Sequence, residues 1–321
     1  MRGKWNKKSK IDLKQGVFLC KLKMRLITDI KENKGLIEAS IKKYGHGAEH
    51  NYWNLRYLDG KKTKSAFFSY EDGSGIMCIM NGKSMEMLPG ILAPEKNNLG
   101  VLKGFLDYAL FKESMEKVFV VLPAGYKEAI SRVKRYKVPK YQRTFYLPVY
   151  NLKKWDNSMP GKKWKKLRNL FNKLHSHHKV LFTPCRDIDR GDLRKIVGDW
   201  KKKRGSTEGL WQPQFYDNII ENNFKGLENA RSLVVDGIPC TISGGWRIAH
   251  SNNYYSALGL SNYKFEGVGE VSTIYELNLL RRKEYSYVNF GQSDKPLLDF
   301  KKKFYPEKIE AEVLFSASKS V

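Results

Sequence analysis

Apolar and polar positions divide the chain into two runs of elements that follow the same order. In the first, residues 65–70 and 76–80 are apolar-rich and flank the polar stretch Glu71-Asp72-Gly73-Ser74-Gly75, which predicts a β-hairpin. Residues 84–88 predict a further strand, 99–111 a helix, 118–122 a buried strand, 125–134 a helix and 143–149 an extended segment. In the second run, 232–235, the turn Asp236-Gly237 and 240–248 predict another hairpin. Residues 254–258 follow as a third antiparallel strand after Ser251-Asn252-Asn253. A glycine-bearing loop, 264–269, then opens a helix with Ile274, Leu277 and Leu280 at helical spacing. A strand at 287–290, a short basic helix at 298–304 and a last strand at 310–315 complete the run. Two similar successions predict a duplicated α+β architecture, and 321 residues suffice for two domains, each with its own core.

Charge adds what the pattern does not show. The chain carries 59 Lys and Arg against 33 Asp and Glu, a formal net charge of +26, while 41% hydrophobic residues mark a folded protein. A field of this size attracts phosphate polymers or anionic membrane surfaces, the alternative being a compositional bias spread over a solvated surface. The excess is concentrated between the two runs: residues 151–204 hold 17 Lys and Arg against five Asp. There Trp164, Leu167, Phe171 and Leu174 recur at helical spacing, and Lys162, Lys163, Lys165, Lys166, Arg168 and Lys173 fill the other faces. A second helix over 192–204 ends in Lys201-Lys202-Lys203-Arg204. The first of these clusters, apart from Lys173, and the second are the candidate polyanion-binding residues. Cys20, Cys78, Cys185 and Cys240 are far apart and lack metal-ligand spacing, so a metal site is not expected and a reducing cytoplasm is. No apolar run reaches transmembrane length, and 16–20 is too short for a signal peptide, although attachment to the membrane periphery stays open.

Candidate chemistry gathers in the second run. Lys264, Gly267 and Gly269 form a loop in which glycines admit a ligand to the backbone and the free amides of a helix N-terminus face an anion. Glu270 and Glu276 on that helix are candidate general bases, Glu270 being preferred. Trp246 and Arg247, after Gly244-Gly245, either line a pocket or pack in the core. His175, His177 and His178 are expected to cap the basic helix.

The tail is similar to a known pattern. Phe290-Gly291-Gln292-Ser293 followed by Asp299-Phe300-Lys301-Lys302-Lys303-Phe304-Tyr305-Pro306 resembles the ending of the phosphatidylglycerol lysyltransferase C-terminal family. Gly161-Lys162-Lys163-Trp164-Lys165-Lys166-Leu167-Arg168 is similar to the start of that family's second half, and Tyr44-Gly45 with Asn51-Tyr52-Trp53 to the start of its first. The resemblance implies two tandem GNAT-like acyltransferase domains, each a mixed, mostly antiparallel sheet flanked by helices, at 1–155 and 156–321, the second being catalytic. It also implies transfer of an aminoacyl group from aminoacyl-tRNA to an amine or hydroxyl acceptor, as in the related Fem-type peptidyltransferases, with no cofactor. By that resemblance Lys301 is the expected oxyanion stabiliser or phosphate holder, Gln292, Ser293 and Lys303 are substrate-binding residues, and the basic clusters hold tRNA. The chain departs from the family in two ways that count against a lipid acceptor: the best-known members add a transmembrane domain, and the acidic residue they often place at the start of the glycine-loop helix has no obvious equivalent here, where Ser272 or Glu270 falls.

Two other readings stay open. The glycine loop resembles the GNAT pattern Gln/Arg-x-x-Gly-x-Gly/Ala that holds a coenzyme A pyrophosphate, with Lys264 in first position, which allows acetyl-CoA or another acyl-CoA as donor. The basic amphipathic helix also fits a non-catalytic binder of RNA or of an anionic membrane.

Overall fold

A computed structural model describes residues 23–204 and 213–320. The first run folds as β1 (Met24–Ile27), α1 (Lys34–Tyr44), α2 (Tyr52–Tyr57), β2 (Lys64–Tyr70), β3 (Gly75–Asn81), β4 (Ser84–Met87), α3 (Asn98–Asp107), β5 (Lys117–Leu122), α4 (Ala124–Ser131), β6 (Tyr136–Lys137) and β7 (Arg143–Asn151). The second comprises α5 (Lys165–His177), β8 (Val180–Pro184), α6 (Arg190–Arg204), α7 (Pro213–Glu221), β9 (Glu228–Val235), β10 (Ile238–Pro239), β11 (Thr241–Arg247), β12 (Asn253–Ser261), α8 (Val268–Arg282), β13 (Tyr287–Asn289), α9 (Lys295–Lys302) and β14 (Lys308–Lys319). Both expected hairpins form, β2 with β3 and β9 with β11 by way of β10. The expected fold class, a mixed and mostly antiparallel sheet with flanking helices, is the one observed.

Each half repeats one unit: an antiparallel meander, a crossover helix, then a strand parallel to the meander's last. α3 leads from β4 to the parallel β5, and α8 leads from β12 to the parallel β13. A parallel neighbour needs such a crossover, because a tight turn can only reverse the chain. The halves are then joined by exchange. β14, from the end of the chain, inserts between β5 and β7, while β7, from the first half, inserts between β14 and β13. One 14-stranded sheet therefore crosses the whole described structure.

The exchange reaches the cores. Val313, Phe315 and Ala317 of β14 are buried with Phe68, Phe105 and Val120 of the first half. Tyr150 of β7 is buried with Tyr254, Leu277 and Val288 of the second. On one face of the second half, α5 and α8 pack together, α8 burying Val271, Ile274, Leu277 and Leu280. On the other, α6 and α7 bury Ile196, Val197, Phe215 and Ile219 against Ile242, Leu258 and Leu260.

Candidate active site

The site arises where two parallel strands part. β12 and β13 pair only from Asn253↔Tyr287 to Tyr255↔Asn289. Beyond that point β12 continues to Ser261 beside β11 alone. The pairing of β11 with β12 shifts register at Gly244/Gly245, and a Cβ on Gly245 would stand 1.7 Å from the Tyr255 carbonyl oxygen, so only glycine fits. The wedge holds a cavity of about 540 Å³. Its walls are the open edge of β12, the first two turns of α8, the Phe290-Gly291-Gln292 turn, and α9.

α8 opens on Gly267, whose φ of 74° lies in the left-handed region that favours glycine, and Gly267, Gly269 and Glu270 all line the cavity. Glu276, two turns on, is 5% exposed and accepts a hydrogen bond from Ser256 Oγ at 2.8 Å. Burial pushes its carboxyl up to about 7, opposed by the Ser256 bond and by the Lys301 ammonium.

Lys301 is buried among the Phe290–Ser293 backbone, which decides its role. Its Nζ donates to the carbonyls of Phe290 and Gly291, the latter at 3.3 Å, and to Ser293 Oγ at 2.9 Å. An ammonium with backbone acceptors on one side and the cavity on the other is a fixed positive charge rather than a solvated side chain. Tyr150 from the exchanged β7 donates to the Lys301 carbonyl at 2.7 Å, so the first half helps to seat the residue.

A second buried cluster lies behind Gly291. The Tyr255 hydroxyl donates to Glu49 of the first half, Asn54 Nδ2 donates to the same carboxylate at 2.5 Å, and Gln292 Nε2 donates to Glu312 at 3.1 Å. Burial pushes both Glu49 and Glu312 up to about 7, and Glu49 raises Glu312 further.

The sequence-derived residues distribute as follows. Lys301, Glu270, Gly267, Gly269 and Gln292 line one cavity, and Ser293 touches it through Lys301. Lys303 pairs with Glu270 at 2.7 Å, which ties that carboxylate into an ion pair and leaves Glu276 as the buried acid that lines the cavity with Lys301. Trp246 and Arg247 are not brought to the cavity. Trp246 is 2% exposed and donates to the Ala48 carbonyl at 2.8 Å, and the Arg247 guanidinium lies over the Tyr285 ring. Lys264 is exposed on the loop, its amide on Asn262 Oδ1. Lys162, Lys163, Lys165 and Lys166 are exposed around the start of α5, with Lys163 over the Trp164 and Tyr305 rings. Arg168 instead binds the Met159 and Gly161 carbonyls, closing the turn before α5. Lys202 and Lys203 are exposed and Lys201 half-buried at the end of α6; the Arg204 side chain and Cys20 lie outside the described residues. His175 bonds the Phe171 carbonyl and the Tyr275 hydroxyl, and His178 pairs with Asp236.

Sequence reasoning did not single out Glu49, Tyr255, Tyr150 or Glu312. Glu49 lies inside the flagged stretch between Tyr44 and Trp53, the one signal that pointed near it. No described helix is long and apolar enough to cross a membrane.

No protein-family model matches the chain, and comparison with curated proteins finds no match. Solved structures do match along nearly its whole length. L-PGS from Bacillus licheniformis is 18% identical, with 91% of this chain and 92% of that one covered and a TM-score of 0.62. A conserved protein of unknown function from Bacteroides thetaiotaomicron is 15% identical over 94% of this chain and 99% of that one, with a TM-score of 0.63. FemX is 14% identical over 91% and 96%, with a TM-score of 0.52. What the chain shares with them at these identities is the fold, and its α+β class, a mixed and mostly antiparallel sheet with flanking helices, is the one the sequence resemblance implied.

Proposed function

We propose that the protein is an aminoacyltransferase that moves an aminoacyl group from charged tRNA to an amine or hydroxyl acceptor. The observation that carries this reading is the Lys301 amine, held at a cavity in the strand wedge that the buried carboxyl of Glu276 also lines. The acceptor nitrogen or oxygen attacks the ester carbonyl and passes its proton to Glu276. The carbonyl oxygen becomes an oxyanion, for which a nearby ammonium lowers the barrier. Of the Lys301 Nζ hydrogen bonds to Phe290, Gly291 and Ser293, the one to Gly291 is the longest, and an oxyanion would displace it first. Collapse breaks the ester C–O bond, and Glu276 returns the proton to the departing ribose oxygen, which leaves as a hydroxyl. Residues 151–204 and the overall charge of +26 support a polyanionic donor, whose phosphates exchange their counterions for Lys and Arg. The shared fold with L-PGS and FemX agrees with acyl-group chemistry.

The test is transfer of radiolabel from a mixture of aminoacyl-tRNAs to anionic lipid vesicles, peptides or small amines. Label is expected to move to one of these acceptors, and Lys301→Ala to abolish the transfer. Absence of aminoacyl-tRNA binding at moderate salt would overturn the reading. A second reading, an acyl-CoA donor, is favoured by Gly267 and Gly269 at the N-terminus of the 15-residue α8 beside the cavity. Glu270 in the first turn and Glu266 just before it are paired with Lys303 and Lys173, so neither stands as an uncompensated charge against a pyrophosphate there. Calorimetry with acetyl-CoA separates the two, since a tRNA-only enzyme gives no heat. Binding to RNA or vesicles without turnover of either donor would mark a non-catalytic binder.

A further inference from the structure

The Phe290–Ser293 turn that holds Lys301 lies outside any helix or strand and is braced by residues of the first half. From β7, the Pro148 carbonyl accepts from the Phe290 amide at 3.2 Å, and the Tyr146 amide donates to the Ser293 carbonyl at 3.0 Å. Between these ends Gly291 stands at φ 69° against the Tyr255 side chain: a Cβ there would lie 3.0 Å from the Tyr255 hydroxyl oxygen and 3.2 Å from its ring. That hydroxyl donates to Glu49, which is 4% exposed and also accepts from Asn54 Nδ2 of α2. The loop that carries Glu49 is docked on the second half one residue earlier, where the Ala48 carbonyl accepts from Trp246 Nε1. Glu49 is not part of the cavity lining, whereas Tyr255 and Gly291 are. A buried hydroxyl that loses its acceptor has to shift toward another, and the backbone against which Tyr255 would shift is that of Gly291.

We propose that Glu49 of the first half is a positioning residue for Lys301: by fixing the Tyr255 hydroxyl it holds the Gly291 turn in the conformation that seats the lysine amine. The first half then contributes to the site without touching a substrate, and the cavity is complete only when the two halves are docked. The effect on turnover rests on the reading of Lys301 given above. The effect on the lysine itself does not, so the two are measured separately.

Three variants of the full chain are compared: Glu49→Met, which keeps the length and removes the acceptor, Tyr255→Phe, which removes the hydroxyl alone, and Glu49→Gln, which keeps an acceptor for Tyr255. Gln at 49 is accommodated because Asn54 Oδ1 makes no hydrogen bond among the described residues and a reversed Asn54 amide can receive it. The first readout is acetylation by acetic anhydride, quantified by mass spectrometry as Lys301 relative to the exposed Lys302 of the same peptide. Glu49→Met and Tyr255→Phe are expected to raise the Lys301 ratio about 5-fold, the population change that loss of one hydrogen bond brings, and Glu49→Gln to leave it near wild type. The second readout is transfer from charged tRNA. Glu49→Met is expected to lower turnover roughly 10-fold with KM unchanged, and to lower it no further when added to Lys301→Met. An unchanged Lys301 ratio in Glu49→Met overturns the inference, as does a ratio in Glu49→Gln as high as in Glu49→Met. Losses that multiply in the double variant mark Glu49 as merely structural and overturn it too. Should Glu49→Met lack a cooperative melt, Tyr255→Phe decides by the same ratio. A wild-type chain that transfers nothing removes the enzymatic reading, while the acetylation ratio still decides whether Glu49 positions the lysine.

Discussion

Glu276 carries the pH dependence of the proposed reaction. As the proton acceptor it works when ionised, so the transfer rate is expected to rise with pH through about 7, and Glu276→Gln is expected to remove that limb. Because the Lys301 ammonium lowers the Glu276 carboxyl, Lys301→Met should move the limb to higher pH as well as slow the reaction. The loss in turnover should be roughly 10²- to 10³-fold if Lys301 holds the oxyanion. A merely structural lysine would lower stability and leave the position of the limb alone, so the pH profile distinguishes the two roles. Stability runs the other way. The carboxyls of Glu49, Glu276 and Glu312 sit at about 7 in the fold against 4.5 as ordinary glutamates, so the folded state binds more protons between those values. Their contribution is complete below about 4.5 and is lost as pH rises through about 7. Urea unfolding at pH 5.5 and pH 8 is expected to show the greater stability at the lower pH, and Glu276→Gln should reduce the difference.

The elements around the site depend on two glycines. A side chain on Gly245 would collide with the Tyr255 carbonyl, at the last pair before β12 and β13 part, and a side chain on Gly267 would meet Leu170 of α5 at 3.1 Å in a left-handed backbone. Gly267→Ala is expected to cost about 1–2 kcal/mol from the backbone conformation alone. Gly245→Ala should cost more, since the backbone of two strands must separate. Differential scanning calorimetry of both variants checks the order. Much at this level is legible in the sequence, because Asp236-Gly237 marks a hairpin turn and the loop at 264–269 marks the start of α8. Other elements leave little trace. α2 is six residues long, and β8 is half-buried or exposed along its length, so neither shows a sustained period. Apart from the family resemblance, nothing in the run Lys301-Lys302-Lys303 separates Lys301 from its two neighbours. In the fold the Phe290 and Gly291 carbonyls and the Ser293 hydroxyl converge on it, a property of the turn after β13 and not of the lysine run. Glu49 and Tyr255 are 206 positions apart and meet only because the two halves dock.

The exchange of β7 and β14 is the feature of the whole molecule that no local pattern records, since strand periodicity says which face is buried and nothing about which strand lies alongside. It bears on how the proposed division at residues 155 and 156 should behave. A chain of residues 1–155 would contain every helix of the first half, yet it would lack Val313, Phe315 and Ala317, which fill its core beside Phe68 and Phe105. At about 1.5–3 kcal/mol for each fully buried Val or Phe side chain, that absence takes on the order of 5 kcal/mol from the fragment. Whole domains are stable by only about 5–15 kcal/mol, so a deficit of this size removes most or all of the stability. The same fragment would expose the β5 edge, with Val120 and Val121, and both edges of the long β7. Unpaired edges of this kind promote aggregation. The fragment 1–155 alone is therefore expected to be insoluble or to lack a cooperative melt by circular dichroism. Co-expression with 156–321 should restore a soluble, cooperatively melting pair that elutes with the mass of the intact chain. A soluble monomeric 1–155 fragment with a sharp melt would show that β14 is dispensable to the first half, and the two halves would then be independent domains that merely share an edge.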